Sequence, residues 1–283
     1  MKEPTKKQLN KRLKTYYSWI ATIQQKCIGQ ISDVRNFIYS QLPLIKQGAS
    51  PETLIYNYMK EKYTQMFLGM KEGFVNVYKE SGKVEVNLIN QTAGANVLRE
   101  TALATHAVLP RTKAFKITNR ILAEKAVSIR SAKMAKQITG LIGESFENEL
   151  SIAQIQRKID IAMGFRNAEG VITEKSKALI ESGKFAHRNG HIYDTYRIAR
   201  TETMRMASIR QNEAFEKLEI PNKRMKLLAV LDDRTRPQSR EMNGHLSDKL
   251  GRFKYPDGKY YYLGQAPPQW SINDRETQYV VFI

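Results

Sequence analysis

Leu9, Leu13, Tyr16, Ile20, Ile23 and Cys27 recur at alternating steps of four and three residues. That spacing draws one apolar stripe along a helix, the seam of a bundle or a short coiled coil. A strand does not carry it, because successive strand side chains point to opposite faces. A second run of the same kind follows a helix-start signal, with Ser50 as N-cap and Pro51 at the first helical position, where a missing N–H loses nothing. Leu54 with Tyr58, then Ile55, Met59, Tyr63, Met66 and Met70, supply its buried side. Met and Tyr at this spacing are core residues rather than a ligand box. Cys27 is read as a small core side chain, not a nucleophile.

Composition narrows what such helices belong to. The chain has 283 residues, is 41% hydrophobic and carries a net charge of +18. This predicts a folded protein of one large or two modest domains. No apolar run approaches the ~20 residues that cross a bilayer, so no membrane segment is expected. The basic start MKEPTKKQLNKRLK lacks a following apolar stretch and is not read as a secretory signal. A single cysteine leaves no intramolecular disulfide and no multi-cysteine metal site, which suits a reducing cytoplasm. So basic a balance points to a polyanionic neighbour, either nucleic acid or an acidic protein surface.

The charge is clustered. Residues 111–137, RTKAFKITNRILAEKAVSIRSAKMAKQ, hold eight Lys or Arg and one acid, Glu124. On a helix, Phe115, Leu122, Ala126 and Ile129 share a buried side, while Lys113, Lys116, Arg120, Lys133 and Lys136 look outward. Such a face contacts phosphates of double-stranded DNA without reading sequence, or it is simply solvated; both readings stay open. No aromatics interleave with it, so single-strand stacking is not expected. Lys6, Lys7, Lys11, Arg12 and Lys14 form a second basic cluster near the N-terminus.

The second half changes character. TGLIGES (139–145) interrupts the helical pattern with two glycines, which places a domain boundary near 140–150. Ser151 and Gln154 have capping-box spacing before a helix that Gly164 stops. A long helix spans about 191–218 and ends before Pro221. KLLAVLD (226–232) reads as a strand, FKYPDGKYYYL as a hairpin turning at Pro256-Asp257-Gly258, and QYVVFI as another strand. The expected fold is mainly α. A helical domain over 1–145 is followed by a small α+β domain over 146–283 with a short antiparallel sheet.

Catalytic signatures are scarce. There is no Gly-rich phosphate loop before a helix, no HExxH and no GxSxG. His187 and His191 are four apart, but Gly190 lies between them and no third ligand is evident, so a loop entering the long helix is the better reading. Asp232 and Asp233 sit beside Arg234 and Arg236, and arginine forks satisfy carboxylates bidentately. A salt-bridged turn is expected there rather than a cation site.

Four stretches carry a resemblance. ARTETMRMASIRQNEAF (199–215), LAVLDDRTRPQSREMNG (228–244), FKYPDG, and PPQWSINDRET (267–277) occur in this order. Together they resemble the Mu F-like phage minor head proteins, the head-morphogenesis family, over roughly residues 150–277. The family pattern is an ARTE-bearing helix, a strand, then D-x-R-T-R-x-x-H, a Pro-Gly segment and Asn-Cys-Arg-Cys. Here Ser239 stands in place of the histidine, and Asn273-Asp274-Arg275-Glu276 in place of Asn-Cys-Arg-Cys. The soft ligands of a zinc-like site are thus absent together, so no metal and no cofactor are expected. A structural zinc contributes on the order of 10 kcal/mol to a small module. The apolar tail Tyr279–Ile283 is read as an added core strand of comparable worth, at ~1.5–3 kcal/mol per buried side chain.

Arg200, Glu202, Asp233, Arg234 and Arg236 are retained, with Arg275 beside them, and no nucleophile accompanies them. They are read as a structural charge network tying the DDRTR loop to the Arg200–Glu202 turn. What the resemblance implies is a non-enzymatic minor structural protein of a tailed-phage head. It would be made in the host cytoplasm and located in the capsid interior near the portal. Its partners would be the portal protein, capsid or scaffold protein, and packaged DNA through phosphates, with a role in head assembly or DNA ejection. A nuclease or toxin-like transferase, and a sequence-independent DNA-binding accessory protein, are the alternatives. The chain ends soon after the last stretch, so a C-terminal effector is not expected.

Overall fold

The computed structural model describes residues 3–47, 52–94, 123–182, 184–229, 237–263, 265 and 276–283. Among them the fold is mainly α with a small antiparallel β part. The helices are α1 (Lys6–Lys46), α2 (Glu52–Ala93), α3 (Glu124–Glu147), α4 (Ile152–Met163), α5 (Glu174–Glu181), α6 (Gly190–Lys217) and α7 (Pro237–Met242). The strands are β1 (Lys223–Leu228), β2 (Phe253–Lys254), β3 (Tyr260–Tyr261) and β4 (Thr277–Phe282). No helix among the described residues is long and apolar enough to cross a membrane.

Contacts gather the chain into two compact units that do not follow a division at residue 145. One comprises the described residues of Met1–Trp19, Gly73–Thr118 and Arg200–Ile283; the other those of Ile20–Glu72 and Asn119–Ala199. The TGLIGES stretch, read as an interruption of the helical pattern, lies within a helix. Gly140 and Gly143 lie inside α3, which continues to Glu147. A glycine costs a helix interior about 1 kcal/mol relative to alanine but does not break it.

The unit holding Ile20–Glu72 and Asn119–Ala199 is all helical. The α1 stripe runs on through Ile31, Val34, Ile38 and Leu42, all fully buried. On α2, Ile55, Met59, Tyr63, Met66 and Met70 are buried as the spacing predicts. Leu54 is instead exposed, and Tyr58 is half-buried, stacked on Phe37 at 3.9 Å. The signal at Ser50 and Pro51 lies outside the described residues. On α3 the buried side is Val127, Ser131, Met134, Ala135, Ile138 and Ile142. Ile129 is 61% exposed, a correction to its expected burial. Two residues along a helix turn the side chain by about 200°, so burying Val127 turns Ile129 outward. Phe115 and Leu122 lie outside the described residues.

Ser151 and Gln154 close the expected capping box, and Gly164 ends α4 in the left-handed region at φ 91°. A Cβ on Gly164 would lie 2.6 Å from the Asn189 carbonyl, and one on Gly190 2.4 Å from the Gly164 nitrogen. Only glycine permits that approach of the α4 end to the α6 start. Asn189 secures it by donating to the carbonyls of Ile161 (2.7 Å) and Arg166 (3.0 Å).

The other unit carries the strands. β1 starts at Lys223, three residues before the expected strand, and pairs antiparallel with β4, Lys223 opposite Phe282 and Leu228 opposite Thr277. Tyr279, Val280 and Val281 of the apolar tail are therefore in a core strand as expected, Phe282 is half-buried, and Ile283 falls outside the strand and is 69% exposed. Val280 joins a cluster with Val86, Phe215, Leu218, Met225 and Phe253, while Tyr279 and Val281 join Leu9 and Leu88. Alternate side chains find apolar partners on both faces, which is why QYVVFI reads as a continuous apolar run. β2 and β3 form the hairpin, with Gly258 at φ 77° donating to the Tyr255 carbonyl at 2.9 Å.

Candidate functional site

The α6 helix, GHIYDTYRIARTETMRMASIRQNEAFEK, is polar nearly all round, yet its second half is buried. A helix of that composition needs partners for its polar groups at each turn. Glu202, in the ARTE turn, is 1% exposed and forms an ion pair with Arg205, itself 5% exposed. One turn on, the Arg210 guanidinium donates to Glu213 at 2.8 Å and to the Tyr78 carbonyl at 3.0 Å, lying 4.2 Å over the Tyr78 ring. The Tyr78 hydroxyl donates to Glu213 at 2.9 Å. Gly82 leaves the space: a Cβ there would meet the Arg210 Nε at 3.2 Å.

A second, larger cluster centres on Glu85 of α2. Arg12 of α1 donates to Glu85 at 3.0 Å and to the Thr277 hydroxyl at 3.1 Å. The Tyr16 hydroxyl donates to the other Glu85 oxygen in a short bond. Gln211 of α6 donates toward Tyr16, Glu85 and Thr277 at 3.2–3.3 Å. Gln278 of β4 donates to Asn212 at 2.6 Å. Burial, then the Glu85 carboxylate, push the Tyr16 phenol well above its ordinary range. α1, α2, α6 and β4 meet at these groups, all enclosed from solvent. Such an arrangement fixes geometry and offers no open face for a substrate.

The described residues hold only part of the expected network. Glu202 is buried and ion-paired with Arg205. Arg200 is half-buried, and its Nε and Nη2 have no hydrogen-bond partner among the described residues. Asp233, Arg234, Arg236 and Arg275 lie outside the described residues, as do Asp232, Asn273 and Asp274. Ser239 sits half-buried on α7, and Glu276 is buried.

The basic surfaces divide similarly. Lys133 and Lys136 are exposed on α3 as expected; Lys113, Lys116 and Arg120 lie outside the described residues. Lys6, Lys7, Lys11 and Lys14 are exposed on α1, but Arg12, expected among the phosphate contacts, is buried against Glu85. It sits three residues after Leu9 and four before Tyr16, on the apolar stripe itself. That position was the readable sign that Arg12 faces inward. Glu85, three and four residues before Leu88 and Ile89 in KVEVNLI, gave the matching sign on α2.

The soft-ligand residues do not converge. His191 is 1% exposed, takes the Tyr63 hydroxyl at 2.8 Å on Nδ1, and meets Gln137 at 3.4 Å through Nε2. Burial pushes it down to about 4. It enters the long helix as expected and is a core group. Burial likewise pushes the Cys27 thiol up to about 12, far from a nucleophile's range. Among the described residues no group of three His, Cys, Asp or Glu is placed to hold a metal.

Compared with known proteins, the chain matches no protein-family model, no curated protein and no solved structure. The likeness to head-morphogenesis proteins rests on the order of the four sequence stretches.

Proposed function

We propose that this chain is a minor structural protein of a tailed-phage head, held near the portal in the capsid interior and acting in head assembly or DNA ejection. The observation that carries the reading is the Glu202–Arg205 pair. The carboxylate of the ARTE turn, the residue an enzymatic reading would most need, is enclosed and ion-paired within the core. The succession of sequence stretches from 199 to 277 supports the family reading, and the charge of +18 suits a phosphate-filled interior.

Mass-spectrometric composition of purified virions, with co-purification on the portal protein of the same phage, tests it. A few copies per particle and capture by the portal are expected. Absence from virions contradicts the reading. So does Mg²⁺-dependent cleavage of duplex DNA that Glu202→Gln abolishes while the fold persists, which would make the chain a nuclease.

Phosphate contact to DNA has its own support in Lys6, Lys7, Lys11 and Lys14, exposed on α1 with no ion-pair partner among the described residues. Binding through them is sequence-independent, with each contact adding about −0.9 to the slope of log affinity against log salt. Replacing all four by Gln flattens that slope by about 3 to 4 units if each meets a phosphate. An unchanged slope removes this face as a DNA contact.

A further inference from the structure

The outward face of α3 is built against the interests of a lone helix. Gly140 and Gly143 lie in its interior, where each lowers helix stability, and a Cβ added at either would meet nothing within 4 Å. No contact among the described residues needs their bareness. Glu144 and Glu147 occupy the final turn, with no basic residue there, so both acids face the negative end of the helix dipole. Lys133, Lys136, Glu144 and Glu147 are all exposed, and none forms an ion pair among the described residues. At 3.6 residues per turn all four lie within about 40° of Gly140 around the helix.

Their placement is self-complementary. Lys136 and Glu144 stand four residues either side of Gly140, and Lys133 and Glu147 seven either side. We propose that this face is the contact between two copies of the chain, α3 packing antiparallel on α3 across a two-fold axis at Gly140. The axis sets Lys136 of each copy opposite Glu144 of the other, and Lys133 opposite Glu147. It also opposes the two helix dipoles, so each acidic end meets the lysines of its partner. A two-fold contact needs a patch complementary to itself, and this one is. The bare Gly140 backbone lets the helices approach at the crossing. Beside it, a groove of about 540 Å³ between α3 and α4, lined by Gly140, Leu141, Glu144, Lys158, Ile161 and Ala162, receives apolar side chains of the second copy. Ile129, 61% exposed on the same face and eleven residues before the axis, is covered at the rim of the contact rather than in the groove. Charge complementarity selects a second copy over an acidic peptide, which would leave Glu144 and Glu147 facing like charge. The pairing stands independently of the head-protein reading.

Sedimentation of the full chain across a concentration series tests it, using two variants. Lys133→Glu/Lys136→Glu makes the face wholly acidic, and Glu144→Lys/Glu147→Lys makes it wholly basic. Each alone is expected to weaken dimerisation about tenfold or more, since every mismatch occurs twice by symmetry. Mixed in equal amounts, the two are expected to form a heterodimer at least as tight as the wild-type dimer. Gly140→Leu, a good helix former at an open position, is expected to keep or raise the melting temperature while abolishing the dimer. A wild-type chain that stays monomeric at every concentration overturns the proposal. So do charge-reversed variants that dimerise like wild type, or a mixture that forms no heterodimer.

Discussion

In the unit holding Arg200–Ile283, acidic side chains are buried against arginines. Arg12 and Glu85 face each other at 3.0 Å with side chains 1% and 3% exposed, and Glu202 and Arg205 pair at similar burial. In the unit holding Asn119–Ala199, His191 is buried without a counter-charge and is held neutral, its hydrogen bonds going to Tyr63 and Gln137. The ions of that unit sit nearer solvent: Asp160 is 12% exposed, Arg166, 3.0 Å away, is 32% exposed, and Arg35 is 27%. Desolvation explains both solutions. A group that gives up its charge needs only neutral partners, whereas a group that keeps it needs an opposite charge and full hydrogen bonding. The first unit therefore depends on matched pairs, and the second is sensitive to pH.

The largest expected effect breaks a matched pair. Arg12→Ala leaves Glu85 buried without its guanidinium and is expected to cost ~3–5 kcal/mol in denaturant unfolding. A loss no larger than that of a surface lysine would erase the contrast between the units. Next comes the neutral histidine. With an ordinary value of 6.5 and a folded value of about 4, His191 takes up its proton more readily in the unfolded chain. Its contribution is complete above pH ~6.5 and is lost as pH falls toward ~4, by about 3 kcal/mol in all. Unfolding free energies of wild type and His191→Gln, compared from pH 7 to pH 4, should diverge at neutral pH and converge in acid. A constant difference would mean that His191 does not titrate in this window. The smallest effect belongs to the Arg166–Asp160 pair, whose arginine is partly exposed. Arg166→Ala is expected to cost about 1 kcal/mol, falling in high salt because solvent screens the contact. A salt-independent loss near that of Arg12→Ala would place Asp160 in the first category.

The stripes on α1 and α2, the capping box at Ser151, the stop at Gly164, the hairpin and the tail strand were all legible, because each is a local pattern with one geometric meaning. The partners within the core were not. Glu202 reads equally well beside Arg200 or Arg205, and the i, i+3 spacing on α6 brings Arg205 to it. Glu85 is met by groups 73 residues before it and 126 after it, a convergence that no local spacing encodes. The glycines at 140 and 143 misled because local helix cost was read as a boundary. Flanked by a continuous apolar side from Val127 to Ile142, the helix absorbs them.

The central claim is that the ARTE carboxylate holds structure rather than performing chemistry. A double-mutant cycle on Glu202→Gln and Arg205→Met, read by denaturant unfolding, tests it most directly. The account predicts that each single change destabilises by ~3 kcal/mol and that the double mutant loses about 2 kcal/mol less than their sum. Additivity within about 0.5 kcal/mol, with small single losses, would show that the pair does not bind the fold together and would contradict the account.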